Sequence, residues 1–178
     1  MASEFFKPNT SRFVAAHEMP KLPIGASAPL FKLPDGSGSL FSLAEHLGKG
    51  AIVVFFYPRD FTPGCTMEVC AFRDRKEELL AAGATCVVGI SSDTVKSHLD
   101  FGTKYKANYP LLSDEGGVVR SQFGVERGLL GFVDGRATYV LDSAGVIRHK
   151  YANVLTADAH VREALAGLAL LATGAAKK

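Results

Sequence analysis

Three cysteines among 178 residues are too few, and too odd in number, for a secreted disulfide framework. A reducing compartment is expected, assigned to the cytoplasm, with any disulfide transient. No charge of one sign dominates. Twenty Lys and Arg stand against 18 Asp and Glu, mixed along the chain, so neither a nucleic-acid face nor an anionic-membrane face is expected. No apolar run approaches the roughly 20 residues of a membrane span. The cysteines and His17, His46, His98, His149 and His160 show no paired spacing for zinc, so no metal site is expected. His46, His98 and His160 fall in predicted helices and are expected to be solvated or locally bonded. Residues 1–20 lack a secretory apolar core and read as a flexible extension. An organelle-targeting remnant is the alternative there, against which Glu4 and Glu18 weigh. No internal repeat divides the rest, and 47% apolar content suits one domain, residues 21–174, with a sizeable core.

What the chain does contain is one stretch that organises the remainder: Tyr57-Pro58-Arg59-Asp60-Phe61-Thr62-Pro63-Gly64-Cys65-Thr66-Met67-Glu68-Val69-Cys70. It follows an apolar run, Ala51 to Phe56, that reads as a strand, and it leads into a helix expected to end near Gly83. Thr62 is a good N-cap, its hydroxyl expected to accept from the free amides of the first turn. Pro63 falls at N1, where it loses no helical hydrogen bond. Gly64 lets other groups approach the backbone closely. Cys65 lands at N3, among unsatisfied amides and at the positive end of the helix dipole. That position favours thiolate over thiol, with a pKa expected below the free value of about 8.5, so Cys65 reads as a nucleophile.

Cys70 lies five residues on. In an intact helix that is about 7.5 Å along the axis and roughly 140° round it. The Cα atoms would then be roughly 8–9 Å apart, beyond the bridging limit of about 7 Å. A bond between the two sulfurs therefore requires the first turn or two to unwind. Residue spacing leaves two readings of Cys70 open: a second redox-active thiol, or an apolar helix position beside Val69 and Phe72. Cys86, inside the next strand, is assigned to packing.

Taken in order, Leu30–Leu33 and Leu40–Leu43 flank the turn Asp35-Gly36-Ser37-Gly38-Ser39 and predict a hairpin. Ser42 is expected to cap a short helix through Leu47. Ala51–Tyr57 and Thr85–Ser91 predict strands covered on both faces. The helix after Cys65 is expected to bury Val69, Phe72, Leu79 and Leu80. Ser92 or Asp93 is expected to cap a helix that carries Val95, Leu99 and Phe101 and ends near Ala107. A short extended piece at 109–112 and a brief helix over 118–123 follow. Gly124–Gly135 reads as a loop with Leu129, Leu130 and Phe132 exposed or half-exposed, covering either a site mouth or a partner surface. Ala137–Leu141 and Val146–Tyr151 predict an antiparallel hairpin about Asp142–Gly145. Thr156 is expected to cap a last helix with Val161, Leu165 and Leu168 on one face, before a tail at 175–178. The result is an α/β domain with a mixed central sheet, and Cys65 sits at the carboxyl end of a central strand, where such sheets bind ligands.

Pro58-x-x-x-Thr62-x-x-Cys65 resembles the peroxiredoxin motif. The fuller Tyr57-Pro58…Thr62-Pro63-Gly64-Cys65-Thr66…Cys70 resembles the peroxiredoxin Q, or bacterioferritin comigratory protein, group. The likeness extends to Gly89–Ser91, Leu111–Asp114, Phe123–Val125 and Arg136–Asp142, and spans roughly residues 20–170. It implies a thioredoxin-like fold with extra N-terminal elements. It implies reduction of hydrogen peroxide and organic hydroperoxides by a peroxidatic Cys65, in a pocket shaped by Pro58, Thr62 and Arg136. It implies Cys70 as resolving cysteine, closing a Cys65–Cys70 disulfide that thioredoxin or a similar dithiol reduces, with no cofactor. A resolving cysteine in the next helix, as in other members, has no counterpart, because no Cys follows Cys86. A monomer is expected, with weak dimerisation the alternative. Competing functions are a peroxide sensor or redox relay, which would stop after one turnover, and a thioredoxin-type oxidoreductase, which would want Cys-x-x-Cys.

Overall fold

Every side chain from Ile52 to Phe56 is fully buried, because the strand that carries them is packed on both faces. In the computed structural model, residues 22–127 and 133–174 are described. The expectations for residues 1–20, for Leu129, Leu130 and Phe132, and for the tail at 175–178 lie outside these. An N-terminal hairpin, β1 (Lys32–Pro34) with β2 (Leu40–Ser42), runs into a short 3-10 turn at Leu43–His46. Then come β3 (Ala51–Phe56), α1 (Pro63–Asp74), α2 (Lys76–Ala81), β4 (Ala84–Ser91), α3 (Val95–Tyr105), β5 (Leu111–Ser113) and α4 (Val118–Gln122). The chain closes with β6 (Ala137–Leu141), β7 (Ile147–Ala152) and α5 (Ala159–Ala172).

The main sheet has the order β5-β4-β3-β6-β7. β4 runs parallel to β3 and β5, whereas β6 runs antiparallel to β3 and β7, as the mixed layout anticipated. The period of two along β3 splits the core into two layers. Ile52, Val54 and Phe56 face the hairpin and α4, among Phe31, Phe41, Ile90, Phe123 and Tyr139. Val53, Phe55 and Tyr57 face the helices, among Val69, Phe72, Phe101, Val161 and Leu168.

Helix α1 is held unevenly. Its middle is fixed by Val69 and Phe72, both fully buried, with Phe72 stacked on Phe55 at 4.1 Å. Burial of two such side chains contributes about 3–6 kcal/mol. The Tyr109 hydroxyl donates to the Val69 carbonyl at 2.7 Å and adds a second fixing. The first turn has less: Pro63 is exposed and Met67 is 56% exposed. Cys65 and Glu68 are buried there, Glu68 against Arg136, but no large apolar side chain fixes this end.

Several local expectations are corrected. The helix expected to run to Gly83 breaks at Arg75, whose amide bonds the Ala71 and Arg73 carbonyls. Around the break Arg73 and Lys76 donate to the Tyr105 and Asn108 carbonyls, contacts no local pattern encodes. Leu80 and Leu99 are exposed, and His98 takes the buried face of α3 beside Phe101. Thr94, not Ser92 or Asp93, caps α3, accepting from the Ser97 amide. Those two residues bond elsewhere: Asp93 accepts from Ser91 and the Asp60 amide, and Ser92 donates to Asp134. Asp158 occupies the N-cap of α5, and Thr156 instead bonds Tyr151. Ser42 stands at the N-cap of the short turn without a side-chain bond. His98 and His160 are buried rather than solvated; each contacts a residue seven positions back, Ser91 and Asn153, as well as one distant in sequence, Tyr57 and Thr138.

Gly167 brings α5 against the sheet. A Cβ there would lie 2.7 Å from the His149 Cβ and 2.8 Å from Val140 Cγ2. Gly167→Ala is expected to destabilise the fold by about 1–3 kcal/mol, read as a lowered urea midpoint with unchanged slope.

Candidate active site

Cys65 is the third residue of α1 and is 1% exposed. Helix geometry leaves the amides of this first turn without intrahelical acceptors, so partial positive charge converges on its sulfur. Thr62 takes the N-cap position with extended backbone, as expected, but its hydroxyl makes no cap bond. It donates instead to the Arg59 carbonyl at 3.0 Å, which tightens the loop and leaves the oxygen as an acceptor.

Arg136, immediately before β6, reaches across 71 residues of sequence to place Nη2 3.5 Å from Cys65 Sγ. Gly64 makes room for it, since a Cβ at that position would lie 3.3 Å from the same nitrogen. Nε donates to the Val154 carbonyl at 3.3 Å, and Nη1 donates to Glu68 Oε2. The guanidinium is 5% exposed and fixed on three sides.

Cys65 and Arg136 open into a cavity of about 630 Å³, lined also by Pro58, Thr62, Val133 and Val154. Four of the five residues singled out in the sequence therefore line one cavity. Cys70 does not line it. It lies in the same unbroken helix, half-buried, and neither cysteine is bonded to another. Among the described residues, no cluster of His, Cys, Asp and Glu has the makings of a metal site.

The sequence profile of the AhpC/TSA family matches residues 24–150. A peroxiredoxin Q of rice (Oryza sativa subsp. indica), named as putative and chloroplastic, is 47% identical over 145 residues, which cover 82% of this chain and 66% of the relative. The structure of the peroxidoxin BcpB of Mycobacterium tuberculosis superposes with a TM-score of 0.74 at 41% identity, covering 82% of this chain and 95% of the other. The chain belongs to the AhpC/TSA family, in its peroxiredoxin Q group. A bacterioferritin comigratory protein of Xanthomonas campestris, with alkyl peroxide reduction activity, superposes with a TM-score of 0.67 at 32% identity, covering 83% and 92%. The fold is the thioredoxin-like fold of these peroxiredoxins. The chain spans about two thirds of the length of the rice relative.

Three features of this peroxiredoxin were not read from the sequence. Glu68, one helical turn after Cys65, is fully buried against Arg136. Loss of water outweighs the Arg136 contact and pushes its carboxyl up to about 8. Arg120, 4% exposed on α4, donates to the Tyr57 carbonyl at 2.6 Å and the Gly135 carbonyl at 2.7 Å. It thereby ties the end of β3 to the residue before Arg136, and its charge is felt by both Cys65 and Glu68. Asp60, also buried, accepts from the Tyr57 hydroxyl at 2.7 Å and Ser97 at 2.8 Å, with His98 Nδ1 3.0 Å away. These bonds pin the Pro58–Thr62 loop to α3, where Phe61 adopts a left-handed φ of 61° and packs edge-on to Phe101. The i+3 spacing of Glu68 from Cys65 was the one available signal, since it places a carboxyl on the face of the helix that bears the thiol.

Glu68 holds its proton up to about pH 8 in the fold but only to about 4.5 when exposed. Its contribution to stability is full below about 4.5 and is lost as pH rises through 8. Relative to Glu68→Gln, the wild type is expected to lose stability steadily from pH 5 to 8 in urea titrations. Parallel curves would mean that Glu68 is ionised throughout.

Proposed function

We propose that this peroxiredoxin reduces hydrogen peroxide and organic hydroperoxides with Cys65 as peroxidatic and Cys70 as resolving cysteine. The observation that carries the reading is the buried sulfur at the third helical position, 3.5 Å from the Arg136 guanidinium and open to the cavity. The thiolate attacks the terminal oxygen of the hydroperoxide. The O–O bond breaks, sulfur is oxidised to the sulfenic acid, and the departing alkoxide or hydroxide takes a proton and leaves as alcohol or water. Arg136 and the first-turn amides stand where negative charge spreads over the breaking bond, already oriented and already out of bulk water. Thr62 offers an acceptor for the hydroperoxide proton, and Pro58 screens the thiol from solvent. The cavity volume accommodates an alkyl group, the substrate type of the Xanthomonas relative.

The second half-reaction joins the sulfenic sulfur to Cys70 with loss of water. In α1 as folded the two residues stand about 8–9 Å apart by helix geometry, so the lightly held first turns open while Val69 and Phe72 stay in the core. A dithiol protein of the thioredoxin type then reduces the disulfide by exchange, and α1 re-forms. That step calls for a compartment that keeps thiols reduced, such as the cytoplasm or the chloroplast to which the rice relative is ascribed.

Cys65→Ser is expected to abolish peroxide consumption. Cys70→Ser is expected to consume one equivalent and then stop in the presence of thioredoxin and its reductase. Mass spectrometry after one equivalent of peroxide is expected to locate a Cys65–Cys70 bond in the wild type. Sustained turnover by Cys70→Ser would remove the resolving role, and activity in Cys65→Ser would remove the reading altogether.

A further inference from the structure

His160, in the first turn of α5, is wholly buried and does not line the cavity. Its Nε2 lies 2.8 Å from the Asn153 carbonyl, which can only accept, so Nε2 carries the ring proton. Nδ1 is then a lone pair and accepts from Thr138 Oγ1 at 2.8 Å. Glu68 Oε1 lies 3.6 Å from that lone pair and has no hydrogen-bond partner among the described residues. Were Glu68 ionised, its negative oxygen would stand against the electron-rich Nδ1 at full burial. At 3.6 Å the pair lies beyond hydrogen-bond range, so the contact acts through charge: the electron-rich Nδ1 disfavours an anion at Oε1 and tolerates the neutral acid. The other oxygen, Oε2, accepts from Arg136 in either state.

We propose that His160 is a positioning residue for the peroxidatic site: its unprotonated Nδ1, acting together with burial, favours the carboxylic acid form of Glu68 and so leaves the charge of Arg136 to Cys65. The proposal rests on the peroxidatic reading of Cys65. Its logic is competition. Arg136 touches the sulfur with one terminal nitrogen and Glu68 with the other. An ionised Glu68 would neutralise the guanidinium and set a second anion near the thiolate, whereas the neutral acid orients Arg136 without discharging it.

The charged and titratable groups facing Glu68 agree with that assignment. They are Cys65 on its own helix, Arg136 before β6, Arg120 on α4, Tyr109 before β5 and His160. Burial pushes His160 down to about 4, so it stays neutral, in keeping with its single ring proton. Asn153, which fixes the ring, adjoins Val154, whose carbonyl holds Arg136 Nε. One segment after β7 thus anchors both the histidine and the arginine.

Two measurements on the full-length protein test this. Infrared difference spectra against Glu68→Gln at neutral pH should show a protonated carboxyl band in the wild type. The band should persist in Thr138→Val and weaken by roughly half in His160→Gln, whose amide offers Glu68 a donor instead of a lone pair. Stopped-flow reaction of Cys65 with hydrogen peroxide across pH should show an alkaline decline in the wild type. That decline should move down by about one unit in His160→Gln and upward in Thr138→Val, where Nδ1 is left wholly to Glu68. Neither substitution should change the rate further in a Glu68→Gln background. Absence of the band in the wild type overturns the proposal. So does a His160→Gln rate lowered equally at every pH and equally without Glu68, which would mark a merely structural residue. A wild-type Cys65 that ignores hydrogen peroxide would overturn the peroxidatic reading, while the infrared band would still decide the Glu68–His160 contact.

Discussion

A cation taken out of water organises this site. The Arg136 guanidinium is 5% exposed and is held against a sulfur on one side and a carboxyl on the other. An unpartnered charge at that depth costs several kcal/mol, so the surrounding structure is arranged to hold it. The Val154 carbonyl receives its Nε, Gly64 clears space for its outer nitrogen, and Arg120 fixes the chain at Gly135, one residue upstream. Two arginines near one thiol, with a carboxyl that burial pushes up to about 8, leave a positive environment at the sulfur. That is the condition under which negative charge developing in a transition state is stabilised.

Uneven anchoring of α1 supplies the second requirement. The proposed catalysis by Cys65 needs the first turn folded, because the amides and Arg136 converge only there. The proposed disulfide with Cys70 needs it open. Large side chains fix the helix from Val69 onward, and the Asp60 network fixes the loop before Thr62. Between these anchors lie exposed Pro63 and Met67, the small side chains of Gly64 and Thr66, and buried Cys65 and Glu68, held through Arg136 and their burial. The segment that would have to move in the proposed cycle is therefore short and bounded, which keeps the entropic cost of re-forming it low.

How much of this could be read from the chain follows from the range of each interaction. The buried strand, the N1 proline, the N3 cysteine and the two hairpins are set by neighbours a few residues apart, and all were legible. Arg136 was legible only through its motif, since nothing local distinguishes it from a solvated arginine at a strand start. Glu68, Arg120 and His160 depend on contacts that span 68, 63 and 22 residues. No periodicity predicts which polar residue of a helix will be turned inward. Helix caps failed for a different reason: at 91–94 and 156–158 several capping residues stand together, and tertiary hydrogen bonds decide which is free to cap. The break at Arg75 carries no glycine or proline and left no mark in the sequence.

The account stands or falls on the Arg136 charge at Cys65. The direct measurement is the second-order rate constant of Cys65 with hydrogen peroxide in Arg136→Met, which keeps the bulk and removes the charge. Burial pushes Glu68 up to about 8 against the opposing pull of Arg136, so removing that charge favours the neutral acid further and the fold should survive. A fall of roughly 10²–10³-fold is predicted, the usual loss when one oriented donor to developing charge is removed. A rate within a factor of about two of the wild type would contradict the account.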